Sequence, residues 1–365
     1  MHNWARSPLL LLHILLTLTF SGATTLWAQS PTVISQEIDS LLQFSTKVEE
    51  KDSLYLSNGD RIAGELKTIE SSVITFDTDY AESDFKIKWE KVTGLRTNQI
   101  SLIILADGDR ILGLMKADSG QAEILTVNGT IRVPIDQIVD LHPVEEKFWK
   151  RIDASLDLNY NFVMDNHLHQ FGINGSVQYN GEKGVMSFIS QNVSIRQDDV
   201  DQIRRYTQTL NAKFYLDHNW FSTTTLEFTA NSEQKLRSRR NLKQGIGIFI
   251  HRSNKWYWYF SGGIGYNSEF YTDDEQTQRN SGEFVLTTEA NIFNQGDLDL
   301  RANLSVYPSF TERGRWRSTF TYIMKYELPL DFYISGNLTF NFDNRPVEGA
   351  SRYDLAAQAV FGWKL

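Results

Sequence analysis

Tyr353-Asp354-Leu355-Ala356-Ala357-Gln358-Ala359-Val360-Phe361-Gly362-Trp363-Lys364-Leu365 closes the chain on a two-residue alternation. Tyr353, Leu355, Ala357, Ala359, Phe361, Trp363 and Leu365 share one face, mostly large and apolar. Asp354, Ala356, Gln358, Val360, Gly362 and Lys364 share the other, mostly small or polar. Successive side chains of a strand point to opposite sides, so this segment has one greasy face and one wet face. Working back to Trp149, the pattern recurs in about twelve segments of roughly 10 residues. Ile152 to Phe162, Phe171 to Tyr179, Leu210 to Leu216, Phe320 to Tyr326 and Phe332 to Phe342 are the cleanest.

This pattern predicts an all-β fold whose C-terminal part, residues 149–365, is a twelve-stranded antiparallel transmembrane β-barrel. In such a barrel the apolar face meets lipid and the polar face meets the lumen. Hydrocarbon offers no hydrogen bonds to the backbone, so the sheet is expected to close. Connections support this. Short turns are expected at Gly181-Glu182-Lys183, Asp217-His218-Asn219, Ser253-Asn254-Lys255, Asn294-Gln295-Gly296 and Leu328-Pro329-Leu330. Longer, charged loops are expected opposite, at Arg196 to Arg204, Ser232 to Arg240, Thr272 to Asn280, Thr311 to Arg315 and Asp343 to Ser351. Short periplasmic turns with longer outer loops are usual for bacterial barrels. Aromatic girdles are read at Trp149, Trp220, Trp256, Trp258 and Trp363 on the inner side, and at Phe270, Tyr271, Phe310 and Trp316 on the outer.

The N-terminus reads as an export signal over residues 1–28, with Arg6 and His2 before an apolar run from Pro8 to Phe20 and small residues to Ala28. A polar linker, 29–51, follows. Residues 52–143 hold a duplication. Asn58-Gly59-Asp60-Arg61-Ile62-Ala63-Gly64 matches Asp107-Gly108-Asp109-Arg110-Ile111-Leu112-Gly113. Each copy follows an apolar run, and Asn-Gly or Asp-Gly between apolar alternations signals a hairpin. The second glycine of each copy, Gly64 or Gly113, suits a bulge or sharp bend. We read two bent β-modules resembling SH3-like or Sm-like small barrels, a periplasmic domain whose partner the sequence does not name.

Composition narrows the function. The chain has no cysteine, so disulfides, thiol catalysis and Cys-based metal sites are excluded. A net charge of −9 argues against nucleic acid as a partner. Mean hydropathy is −0.36, as a barrel with half its strand positions polar allows. Lumen-facing candidates are Asp153, Asp157, Lys213, Glu283, Glu289, Arg301, Lys325 and Glu327, which carry both signs and would either fill the interior or line a pore. His251-Arg252-Ser253-Asn254 is similar to the His-x-Ser-Asn of outer-membrane acyl hydrolases, with Ser253 as nucleophile and His251 as base. A turn is the simpler reading of Ser-Asn at this place. His167 and His169 share a strand face without a convergent carboxylate, and the acidic runs at Asp198 to Asp201 and Asp273 to Glu275 read as solvated loops. No catalytic residue, cofactor or metal is expected.

The Asn-Gly-Asp-Arg-Ile-x-Gly element, Trp89-Glu90-Lys91-Val92 and the strand Phe260-Ser261-Gly262-Gly263-Ile264-Gly265-Tyr266 together resemble the outer-membrane family called domain of unknown function 481, which includes YdiY-like, salt-induced outer membrane proteins. The resemblance implies a barrel in the outer membrane of a Gram-negative cell, surrounded by lipid and delivered by the barrel-assembly machinery. It carries over no activity and no catalytic residue. The end at Leu365, where an aromatic residue is commoner, departs from the usual C-terminal strand. The expected role is structural or stress-adaptive, with a narrow or filled lumen; a small-solute channel and an acyl hydrolase are the alternatives.

Overall fold

In a computed structural model the described residues are 51–144, 151–164, 168–181, 183–198, 200–272, 277–295, 297–348 and 351–363. The signal segment, nearly all of the linker, Trp149, His167, Asp273 to Glu275 and Leu365 lie outside them.

The duplicated region folds as one unit. The first copy gives β1 (Asp52–Leu56), β2 (Arg61–Glu70), β3 (Val73–Asp77), β4 (Phe85–Lys88) and β5 (Val92–Arg96). The second gives β6 (Ser101–Leu105), β7 (Arg110–Asp118), β8 (Gln121–Thr126), β9 (Gly129–Pro134) and β10 (Ile138–Pro143). β1, β5, β7, β6, β10 and β2 pair in that order, and β2 returns to β1, so six strands close a ring. Three strands come from each copy, and the joints β5–β7 and β10–β2 cross between copies. Neither copy closes alone; the two bent modules complete one six-stranded barrel between them. One core is shared, with Leu54, Leu66, Phe76 and Leu95 from the first copy and Ile103, Met115, Ile124 and Leu141 from the second. A three-strand unit this short leaves half its apolar face bare, and the pair buries it mutually.

The duplication is exact at the turns. Gly59 N–H donates to Leu56 O and Gly108 N–H to Leu105 O, both at 3.0 Å. The Asn58 and Asp107 side chains accept from the backbone N–H two residues on, at 3.1 and 3.0 Å. Gly59 and Gly108 have φ +89° and +93°, a region that suits glycine. At Gly64 and Gly113 the neighbouring strand crosses so closely that a Cβ would lie 2.0 Å from Asp77 O and 2.4 Å from Leu125 O.

The C-terminal part is a meander of twelve antiparallel strands: β11 (Ile152–Val163), β12 (Leu168–Gly181), β13 (Gly184–Gln197), β14 (Val200–Tyr215), β15 (Trp220–Asn231), β16 (Leu236–Arg252), β17 (Trp256–Tyr271), β18 (Gln278–Gln295), β19 (Leu298–Pro308), β20 (Trp316–Glu327), β21 (Phe332–Asp343) and β22 (Tyr353–Trp363). Each pairs with the next. The strand count agrees with the sequence reading, and the five short turns fall where expected. The opposite loops are shorter than expected, because strands such as β16 and β18 run 17 and 18 residues through the charged stretches. Among the described residues no ladder joins β22 back to β11, so the curled sheet has two free edges where a ring was expected.

The two faces differ sharply. Outward positions carry Leu156, Ile246, Phe284 and Phe361, the first and last 69% and 68% exposed. Inward positions carry Glu269, Glu283, Glu289 and Arg317, all buried. Tyr271, read as an outer girdle residue, instead points inward and packs with Leu236 and Val347.

Candidate functional site: the sheet interior and its capped end

Alternation aims charged side chains into the concave interior, and long strands bring them together across it. Three groups form along the axis. Nearest the β19–β20 loop, Arg315 is fully buried and its Nη2 lies 2.9 Å from Glu269 and 2.7 Å from Asp343. Arg239 holds the other Glu269 oxygen at 2.8 Å. Arg317 grips Glu283 with two bonds, 3.1 and 2.7 Å. Two-pronged Arg–carboxylate pairs are the strong form of this contact, and the interior here is occupied by them.

A middle group joins Lys243 to Glu227 and to the Tyr307 hydroxyl, each at 3.4 Å. Asn241 donates to Glu227 at 2.9 Å. The third group lies toward the short turns. Glu289 accepts from the Tyr257 hydroxyl at 2.6 Å, Asn303 at 2.9 Å and Arg301 at 3.1 Å. Beside it Lys213 stands over the rings of Phe221, Tyr259 and Phe249, at 4.8, 5.0 and 5.9 Å.

Of the eight lumen candidates, Lys213, Glu283, Glu289 and Arg301 enter these groups. Lys325 and Glu327 pair with each other, 2.9 Å apart on the rim. Asp153 receives a bond from Asn180 at 2.8 Å on the exposed first strand, and Asp157 is exposed on the same strand. The sequence reading missed Glu269, Arg315, Arg317, Arg239, Glu227 and Lys243. Alternation carried the signal for two of them, since Phe270 and Trp316 face outward and so fix Glu269 and Arg317 inward.

The six-stranded barrel is seated on the short-turn end. The Gly108 turn abuts the turn at His218, where a Cβ on Gly108 would lie 2.1 Å from His218 O. Asn219 donates to Ala106 O at 3.4 Å. The Ser72 hydroxyl donates to Asn254 O. Arg252 pairs with Asp140 at 2.9 Å, and the Arg110 guanidinium lies 4.7 Å from the Tyr215 ring centre. Desolvation at the seat, with the carboxylate of Asp140 close by, raises the Glu70 carboxyl from its ordinary value. Between this seat and the third group lies a cavity of about 610 Å³.

His251-Arg252-Ser253-Asn254 therefore takes part in this seat. The Ser253 hydroxyl donates to Trp256 O at 2.9 Å and accepts from the Lys255 and Trp256 N–H groups, closing the turn. His251 stacks on Trp256 with ring centres 3.9 Å apart. Serine and histidine are each engaged with Trp256 rather than with one another.

The family model described as "Protein of unknown function, DUF481" matches residues 152–364. The chain belongs to the DUF481 family. The matched span is the twelve-stranded sheet, and the duplicated barrel lies ahead of it. No curated protein matches the chain. Among solved structures, one described as a NanC porin in a rhombohedral crystal form is similar over 58% of this chain and 100% of that one, at 12% identity and a TM-score of 0.33. The fold of this DUF481 member stands on its own strand ladders.

Proposed function

We propose that this DUF481 protein is an outer-membrane β-barrel of a Gram-negative envelope, with its duplicated barrel in the periplasm closing the mouth. One observation supports this above others: the sheet is inside out. Soluble sheets bury apolar side chains and expose charges. Here the buried positions include Glu269, Arg315, Glu283 and Arg317, while large apolar residues lie exposed all along the convex face. A surface of that kind in water drives association, and in lipid it is simply solvated. Strands such as β20 and β21 are 12 residues long, enough for a tilted crossing of the hydrocarbon.

The ion pairs that occupy the interior favour a structural or envelope-adaptation role over catalysis, with outer-membrane lipid and the barrel-assembly machinery as the partners. In purified form the protein is expected to migrate faster on gels unheated than boiled, and to give no steady unitary currents in planar bilayers. Steady currents would favour the second reading, a small-solute channel, for which the 610 Å³ cavity is the supporting feature. Extraction as a detergent-free monomer would refute the membrane reading. Equal lipid hydrolysis by the native protein and Ser253→Ala would exclude an acyl hydrolase using that serine.

A further inference from the structure

Four cations and three carboxylates line the cavity between the two barrels: Lys213, Lys243, Arg252 and Arg301 against Glu70, Asp140 and Glu289. Most of them are paired. Arg252 is held by Asp140, Arg301 by Glu289, and Lys243 by Glu227. Desolvation of its carboxyl, with the Asp140 carboxylate beside it, disfavours the charge on Glu70. Lys213 is left. Its ammonium faces three aromatic rings and has no hydrogen bond or ion pair among the described residues.

An ammonium has three N–H donors and an aromatic face satisfies none of them as an oxygen would. Ring faces hold the cation in place by electrostatic attraction but leave its donors open. An enclosed cation of this kind is stabilised most by an anion brought to it. The neighbouring cavity wall carries the amide of Asn211 and the hydroxyls of Thr223 and Thr225, which suit a polar ligand body. A void of a few hundred Å³ is the size in which proteins hold small ligands.

We propose that Lys213, set in the ring of Phe221, Phe249 and Tyr259, is the anchor of a binding site for a small organic anion in the cavity under the periplasmic barrel. The ligand places a carboxylate or phosphate oxygen on the Lys213 ammonium. Its polar body lies along the amide and hydroxyl wall. This goes beyond the structural role above and depends on the fold alone, so it holds whether or not the barrel conducts.

The test is calorimetric titration of the detergent-solubilised full chain with gluconate, with inorganic phosphate and with sorbitol, which has gluconate's length and hydroxyls but no charge. Saturable binding of gluconate or phosphate, with none of sorbitol, is expected. Lys213→Met should weaken it at least tenfold, and Lys213→Arg should keep it within about threefold. Glu289→Gln frees Arg301 and should tighten binding severalfold, which tests the site without touching the lysine. The stronger anion names the charge chemistry. Silence with both anions, equal binding of sorbitol, or binding unchanged in Lys213→Met would overturn the proposal.

Discussion

Gly59 and Gly108 occupy the same place in the two copies of the duplication, yet only one of them touches the twelve-stranded sheet. Replacing each with alanine separates docking from local strain. Both have φ near +90°, where an L-residue costs ~1–2 kcal/mol, so that penalty is common to the pair. A Cβ on Gly59 meets nothing within 4 Å. A Cβ on Gly108 falls 2.1 Å from His218 O and 2.9 Å from Asn219 N, where ordinary contact needs roughly 3.5 Å. The two turns must therefore part by more than an ångström. The contacts at risk are the Arg252–Asp140 pair, at ~1.5–3 kcal/mol, and two neutral hydrogen bonds, from Ser72 and Asn219, at ~0.5–1.5 kcal/mol each. Allowing for partial relaxation, the extra penalty at Gly108 is ~2–4 kcal/mol. At about 1.4 kcal/mol per decade, the docked-to-free ratio falls roughly 30- to 700-fold. The chain lacks cysteine, so Asp109→Cys with Asp217→Cys, one on each turn, reports docking through the rate of bridging by a short bis-maleimide. Gly59→Ala should cross-link like the parent and Gly108→Ala at least tenfold more slowly. Equal rates in the two variants would refute the docking argument.

Phe340→Arg, on the outward face of β21, should destabilise the membrane-embedded protein by ~2–4 kcal/mol in urea titrations, whereas Thr339→Arg next to it, facing inward, should cost far less; equal costs would reverse the assignment of faces. Arg315→Met leaves Glu269 and Asp343 without their shared cation and should cost ~3–5 kcal/mol, visible as a lowered unfolding midpoint. Glu70 has a raised folded-state pKa, so the folded form binds its proton more tightly than the unfolded one. Its contribution is favourable below the ordinary value of 4.5 and is lost as pH rises through the folded value. Glu70→Gln should therefore flatten that part of the stability–pH profile, and a profile unchanged by the substitution would be the contrary result. Cysteines placed at Ala154, Leu156 and Leu158 should form disulfides with partners at Ala357, Ala359 or Phe361 in membranes, in one register only; failure of every pair would contradict closure of the sheet.

Much of the large sheet was legible because its alternation is enforced twice, by an apolar convex face and by a polar interior. The alternation read from Tyr353 to Leu365 placed the start of the last strand at Tyr353, and the twelve-strand count followed. Strand ends were less legible. Arg237-Ser238-Arg239-Arg240 reads as a solvated loop, yet it continues β16, because an interior that contains Glu269 accepts an inward arginine. Lys213 could be placed inside by alternation alone. Its aromatic cage comes from β15, β16 and β17, and such a meeting depends on register between strands, which one sequence does not display. The His251 to Asn254 motif was the least legible. Its purpose lies in Asp140 and Ser72, more than a hundred residues away, and no spacing rule connects them.

The two free edges and the greasy convex face constrain each other. β11 and β22 are 12 and 11 residues long, and an unpaired antiparallel edge presents about half of its N–H and C=O groups outward, on the order of ten groups per edge. Water satisfies those groups at little cost. Hydrocarbon does not, and each would cost several kcal/mol, so two edges together would cost tens of kcal/mol in lipid. Leu156, Leu158, Leu355 and Phe361 lie on these same two strands, are all more than half exposed, and favour lipid over water. A sheet with this outer face cannot rest in water, and one with these edges cannot rest in lipid. Pairing β22 with β11 removes the conflict, since it satisfies the backbone of both strands and leaves their apolar side chains facing hydrocarbon. Membrane residence and closure of the seam are thus one claim, and the cysteine pairs across β11 and β22 test both together.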